Sequence, residues 1–392
     1  MKSRNRVELD VAIVGGGVAG LWLLNVLVAR GHSTALFEAG ALGGGQTLAS
    51  QGIIHGGVKY ALGGVLTSAS TALAPMPDRW RACLAGRGEI DLSSVVVASD
   101  RCYLWSNASA LGAVGTWLSS RFLRGRVEAL EHHDYPDAFR SCTRGRTFAG
   151  RVYALHEPVV DVASLVAALA RPHRERIAQL AVTASALRFE DGALTSIATD
   201  ALEIRARHFV LAAGVGNEAL LRDVAGAPPM QRRPLQQVVV RHPNLPSLYG
   251  HCIGDLAHPE PRLTITTHDS ARGRCWYFGG RLATGGAERD AHAQVAAARR
   301  ELVETVPWLD LSAAELTTRK IDRAEPATVD RSRPDAAFAR RIGNVVVAWP
   351  TKLSLAPDLG DRVLALLGEP TREKGATTLS LASPPIATPP WA

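Results

Sequence analysis

The sequence predicts an α/β fold in which a Rossmann-like nucleotide-binding domain is joined to a second domain built on a mixed or antiparallel sheet. Three observations carry this expectation. The chain opens on an apolar strand, a glycine triad and a helical run. A buried strand at 204–211 ends in Ala212, Ala213 and Gly214, and residues 232–281 are rich in strand-like segments.

The first unit is the most specific. Residues 11–20 read Val-Ala-Ile-Val-Gly-Gly-Gly-Val-Ala-Gly. Gly15 allows a tight turn off the strand, Gly17 lets the backbone approach a pyrophosphate, and Gly20 lets the helix pack on the sheet. Val18 and Ala19 then open a helix whose free N–H groups suit phosphate. Leu36 and Phe37 end a second strand, so Glu38, followed by Ala39, falls where a carboxylate accepts hydrogen bonds from ribose hydroxyls. Lys2, Arg4 and Arg6 ahead of this apolar stretch imitate a secretory signal. Asp10, Asn25 and the glycines interrupt it, whereas a membrane span needs roughly 20 apolar residues. A cytoplasmic location is therefore expected.

Composition sets outer limits. A chain of 392 residues can bury a sizeable core and is long enough for two domains. Its five cysteines are scattered without a CxxC pair, which indicates neither a zinc site nor a disulfide framework. The net charge of +7, from 44 basic and 37 acidic residues, suits anionic substrates and leaves peripheral contact with an acidic membrane surface open. Arginines such as those at 121–126 and 232–233 are too dispersed to argue for nucleic acid.

Further along, residues 42–57 are too glycine-rich for a regular element and read as a loop hugging a ligand. Gln46, Thr47, Ser50 and Gln51 supply polar groups there, interleaved with Gly52 and Ile54. Residues 66–86 look helical, and 95–105 and 152–155 contain strand-like runs. Asp161 caps a helix reaching about residue 170. Residues 180–211 read as a β-meander that begins at Val182 and turns at Asp191–Gly192. Strands at 238–240, 263–267 and 276–280 follow, then a helix at 291–305 ending before Pro307. The last unit is a strand at 344–349, a turn at Pro350 and a helix at 358–367. Beyond Gly368 the chain is rich in Ala, Pro, Ser and Thr, so a loosely ordered tail is expected.

The glycine triad with Glu38, the loop from Gly43 to Tyr60 and the strand ending at Gly214 together resemble the D-amino-acid-oxidase-type superfamily of FAD enzymes. The resemblance runs in order to about residue 367. Within the superfamily, Ser50-Gln-Gly-Ile-Ile-His55-Gly-Gly-Val-Lys59-Tyr60 is similar to the loop of the 2-hydroxyglutarate oxidase and glycerol-3-phosphate dehydrogenase branch. Trp349-Pro-Thr351-Lys352-Leu353-Ser is similar to that branch's turn beneath the flavin, with Pro350 and Thr351 replacing two glycines. The long C-terminal helical domain of the bacterial glycerol-3-phosphate enzymes is absent, which argues against that substrate.

The resemblance implies an FAD-binding domain in three pieces, 1–90, 151–230 and 321–368, interwoven with a substrate domain at 91–150 and 231–320, and a flexible tail at 369–392. It also implies that Ala213, Gly214, Thr351, Lys352 and Leu353 border the cofactor and that Val182 contacts the adenine through its backbone. An FAD enzyme removes hydride from a carbon bearing a heteroatom, and an anionic substrate calls for a cationic clamp. Lys59 and Arg323 are expected to hold the anion, Tyr60 to orient it, and Lys352 to favour reduced flavin. His55 is suited to accept a hydroxyl proton. Each has a plainer alternative: Lys59 a solvated loop lysine, Arg323 a structural partner of Glu325, Lys352 acting only through its backbone, His55 packed against the flavin. His251 and His268 are rival bases or buried structural histidines.

The expected activity is dehydrogenation of a small 2-hydroxy acid, with oxygen or a quinone reoxidising the flavin. Oxidation of an amino acid or secondary amine is the close alternative. A tRNA-modifying flavoprotein and a specialised biosynthetic flavoprotein are the remaining ones.

Overall fold

The computed structural model describes residues 5–57, 68–106, 127–140, 145–254, 260–371 and 378–392. Lys59 and Tyr60 lie outside the described residues. Among those described, two large sheets organise the chain.

The first sheet forms around β1 (Asn5–Val14), whose second half is a continuous buried run. Parallel strands buried on both faces read as unbroken apolar segments, which is the character of residues 11–14. β1 pairs in parallel with β2 (Thr34–Glu38) and with β11 (Leu202–Leu211). β8 (Ile177–Gln179) extends the sheet beyond β2, and β18 (Val345–Trp349) beyond β11, both in parallel. β17 (Phe338–Ile342) closes one edge antiparallel to β18. The hairpin of β9 (Leu187–Glu190) and β10 (Ala193–Ala198) attaches antiparallel to β11. Asp191 and Gly192 turn that hairpin, both with positive φ.

Helix α1 (Val18–Ala29) is apolar on every side and buried from Val18 to Leu27. A helix of that kind must be covered all round. Beside the sheet it meets α3 (Val162–Ala170) and α4 (Ala356–Leu367), and Trp22 packs on Trp80 of α2 (Met76–Leu84) with ring centroids 5.0 Å apart. Asp161 caps α3 as expected, its side chain accepting from the Ser164 N–H.

The second sheet is almost wholly antiparallel. Its order runs β16 (Glu315–Pro326), β12 (Met230–Arg241), β15 (Gly273–Gly279), β14 (Leu263–Ser270), β13 (Gly250–Cys252), β4 (Cys102–Ser106), β6 (Arg151–Leu155) and β5 (Val127–Ala129). The pairing of β13 with β4 is parallel. Short strands β3 (Val97–Ser99) and β7 (Val159–Val160) form a separate pair. The fold is thus α/β with a Rossmann-like sheet and a mixed second sheet, and the chain passes between the two more than once.

Two expectations are corrected. No strand starts at Val182: β8 ends at Gln179 because its partner β2 ends at Glu38, which leaves residues 181–183 no strand to pair with. The tail is also not loose over its described part. Leu42 donates to Pro385 O, Ala387 donates to Leu42 O, and Trp391 is 3% exposed. Trp391 stacks on His268 at 3.6 Å between centroids, and Arg241 donates to its carbonyl. A low-complexity composition hides one buried tryptophan, and that residue docks the segment.

Candidate active site

A cavity of about 1080 Å³ opens at the carboxyl ends of the parallel strands and runs against β12, β15 and β16 of the second sheet. Ligands of open parallel sheets bind at that end of the strands.

At one end the glycine turn forms a cradle. Gly15 has φ +112°, and a Cβ there would lie 2.6 Å from Ala212 O. A Cβ on Gly20 would lie 1.9 Å from Gly15 O, so the helix sits too close to the turn for any side chain. Gly17 caps α1 without a side-chain hydrogen bond, leaving that helix end open to the cavity. The Val18 N–H donates to Thr47 Oγ1 at 3.0 Å, which pins the following loop. Glu38 lines the same end, its carboxylate accepting from Gly16 N at 2.6 Å and Gly40 N at 2.8 Å.

The loop after β2 supplies the next stretch of wall. Gln46 Oε1 accepts from Ala324 N at 3.1 Å, and Gln51 Nε2 donates to Tyr277 O at 2.9 Å. Both glutamines therefore tie the loop to the second sheet. The Ser50 hydroxyl is buried in the cavity wall and has no hydrogen-bond partner among the described residues. Gly52, Ala213, Gly214, Thr351 and Leu353 also line the cavity. Ala39, Ile54 and Val182 do not: Ala39 is exposed, Ile54 is a core residue, and Val182 packs beside the β9–β11 core.

The second sheet contributes charge. Arg233, Arg319, Lys320 and Arg323 of this sheet line the cavity, joined by Arg333 from the connection after β16. Arg323 donates through Nε to Arg233 O at 3.2 Å and makes no ion pair among the described residues. Burial, reinforced by Arg333 and Arg233, pushes its pKa down to about 10. Glu325, three-dimensionally the obvious competitor, instead pairs with Arg233 at 3.0 Å. Arg323 is thereby kept for something other than Glu325.

The turn after β18 holds Lys352. Thr351 takes φ +58°, a left-handed conformation costly for a β-branched residue, so it keeps a glycine-like geometry without glycine. Lys352 lines the cavity, and its ammonium donates to Pro334 O at 2.8 Å and Asp335 O at 3.1 Å.

His55 lines the cavity opposite a residue that sequence reasoning missed. Its Nδ1 lies 3.1 Å from Glu157 Oε2, and its backbone N–H donates to Ser354 Oγ at 2.8 Å. His251 sits behind, ring centroid 5.5 Å from that of His55, with Nδ1 2.8 Å from Thr264 Oγ1. One donor atom from each of His55, Glu157 and His251 lies within 4.8 Å of the others, which is also the donor set of a metal site. The signal for Glu157 was a lone acid between the apolar run of β6 and Pro158. His268 faces Trp391 and does not line the cavity; burial lowers its pKa to about 3.

Comparison with known proteins agrees with this geometry. A family model described as FAD dependent oxidoreductase (DAO) matches residues 10–347. A Pseudomonas aeruginosa protein described as a probable FAD-dependent oxidoreductase is 47% identical over 390 residues, covering 98% of each chain. The crystal structure of the FAD dependent oxidoreductase from that organism superposes with a TM-score of 0.82 at 42% identity, over 99% of this chain and 98% of that one. Glycine oxidase from Geobacillus kaustophilus has a TM-score of 0.66 at 19% identity, covering 95% and 98%. An L-amino acid deaminase from Proteus vulgaris, with its specific insertion deleted, gives 0.66 at 17% identity, covering 95% and 94%. These last two share the fold.

Proposed function

Because the chain belongs to the DAO family of FAD-dependent oxidoreductases, we propose that it oxidises a small anionic 2-hydroxy acid at the carbon next to the carboxylate. The residues present fit the cofactor. The glycine cradle, the open end of α1 and the unpartnered Ser50 hydroxyl suit pyrophosphate and other polar groups of FAD. When bound, FAD supplies a hydride acceptor.

The protein's part is to bind, orient and take up a proton. Arg323 holds the substrate anion, and the surrounding cations leave it strongly in need of one. His55 accepts the hydroxyl proton as the carbon is oxidised. Lys352 places positive charge where the reduced cofactor carries negative charge. Lys59 and Tyr60, four and five residues beyond His55, complete the reading as further anion-holding and orienting groups. The observation that carries it is that His55, an imidazole backed by a carboxylate, shares one cavity with the unpaired Arg323.

The test is anaerobic exposure of the FAD-loaded protein to parallel panels of 2-hydroxy acids and amino acids, read as bleaching of the yellow colour. Bleaching by hydroxy acids is expected. Bleaching by amines alone overturns the substrate class and leaves the family unaffected.

A further inference from the structure

We propose that Glu157 is the positioning residue of this site. It holds His55 in the tautomer protonated at Nδ1, so that Nε2 is the proton acceptor. The inference rests on the reading of His55 as the base, and it names what makes that histidine competent.

The placement follows from backbone register. Val160 N donates to Gly52 O at 3.0 Å, Ile54 N donates to Pro158 O at 2.9 Å, and Ile53 bridges Val159. The two segments run antiparallel, which brings Glu157 level with His55 and Gly56. Pro158 has no N–H of its own and biases Glu157 to an extended backbone, which favours this pairing. The Glu157 side chain is 2% exposed, against 14% for His55. One carboxylate oxygen, Oε1, accepts from Gly56 N at 2.6 Å. The other, Oε2, faces His55 Nδ1 at 3.1 Å.

With Glu157 ionised, its carboxylate can only accept. Oε2 then faces Nδ1 as an acceptor, and the imidazole must present Nδ1–H to it. The remaining nitrogen then carries the lone pair. When a substrate O–H bond breaks, its proton joins Nε2 and the bonding pair stays on oxygen. The imidazolium so formed keeps Nδ1–H toward Glu157, whose negative charge balances it.

The geometry makes the glutamine variant informative. In Glu157→Gln the Gly56 N–H still requires an oxygen, so the amide turns its NH₂ toward His55. That NH₂ can only donate, which leaves Nδ1 as acceptor and moves the proton to Nε2. The variant should invert the tautomer.

The experiment is long-range proton–nitrogen correlation NMR on FAD-loaded protein labelled with nitrogen-15 at histidine, the His55 signals assigned by their loss in His55→Gln. The wild type should show Nδ1 protonated and Nε2 bare at neutral pH, Glu157→Gln the reverse, and Glu157→Asp the wild-type pattern. Anaerobic bleaching by the best hydroxy acid should slow roughly 100-fold in Glu157→Gln. A wild-type His55 protonated at Nε2, or an unchanged tautomer in Glu157→Gln, overturns the proposal. So does a stoichiometric transition metal in the purified wild type that Glu157→Gln lacks, since the carboxylate would then be a ligand. The expected tautomers in a protein that no hydroxy acid bleaches support the role of Glu157 and refute the substrate class alone.

Discussion

Two arginines adjacent in space carry opposite duties, and their difference is measurable. Arg233 neutralises Glu325, which is 1% exposed, whereas Arg323 makes no ion pair among the described residues. Arg233→Leu strands a buried carboxylate and should cost about 3 kcal/mol of stability, seen in denaturant unfolding. Arg323→Leu gives up one hydrogen bond to Arg233 O and removes a charge that burial disfavours. It should not destabilise the fold, and it should weaken substrate binding by about 2 kcal/mol, roughly 30-fold in KM. The pairing itself was not legible in the sequence, where Glu325 stood two residues from Arg323 and competed for it equally. Adjacent strands decided the matter: β12 lies beside β16 with Arg233 opposite Arg323 and Gln231 opposite Glu325. Residue types told which groups could act, and cross-strand geometry told which were free to.

At the scale of elements, the strand–turn–helix–strand unit was readable because its constraints are local. Gly15 and Gly20 are separated by one turn of chain, and the contact that forbids a side chain at Gly20 is with Gly15 itself. Glu157 and the tail were unreadable for the opposite reason. Glu157 acquires meaning only from a loop about a hundred residues earlier, and Trp391 only from β12, β14 and β15. The docked tail also carries a pH dependence. His268 on β14, stacked on Trp391, has its pKa lowered by burial from 6.5 to about 3. Its folded pKa lies below its unfolded value, so the unfolded chain takes up the proton first. Stability from this group is therefore full above pH 6.5 and falls with acidification until His268 itself protonates near 3. Between those two values the loss should approach about 1.4 kcal/mol per pH unit. Urea unfolding at pH 7 and pH 5 should show His268→Phe, which keeps the stack, losing about 2 kcal/mol less than wild type across the interval. Equal losses would refute the assignment.

The whole molecule divides its labour between two sheets. The parallel sheet and α1 build the cradle at strand ends, a place set by topology. The antiparallel sheet brings arginines, and the loop from Gln46 to His55 is bound to the α1 side through Thr47 and to the antiparallel sheet through Gln46 and Gln51. In the proposed function, cofactor and substrate are gripped by separate parts of one chain, and the chemistry falls at their seam. At the centre of the proposed function, hydride leaves the carbon of a 2-hydroxy acid while His55 takes the hydroxyl proton. The most direct measurement is the anaerobic bleaching rate with the best hydroxy acid carrying deuterium in place of hydrogen on that carbon. Bleaching should be several-fold slower with deuterium, in wild type and in a further-slowed His55→Gln alike. Failure of every 2-hydroxy acid to bleach a fully FAD-loaded protein, with amino acids bleaching it, would contradict it.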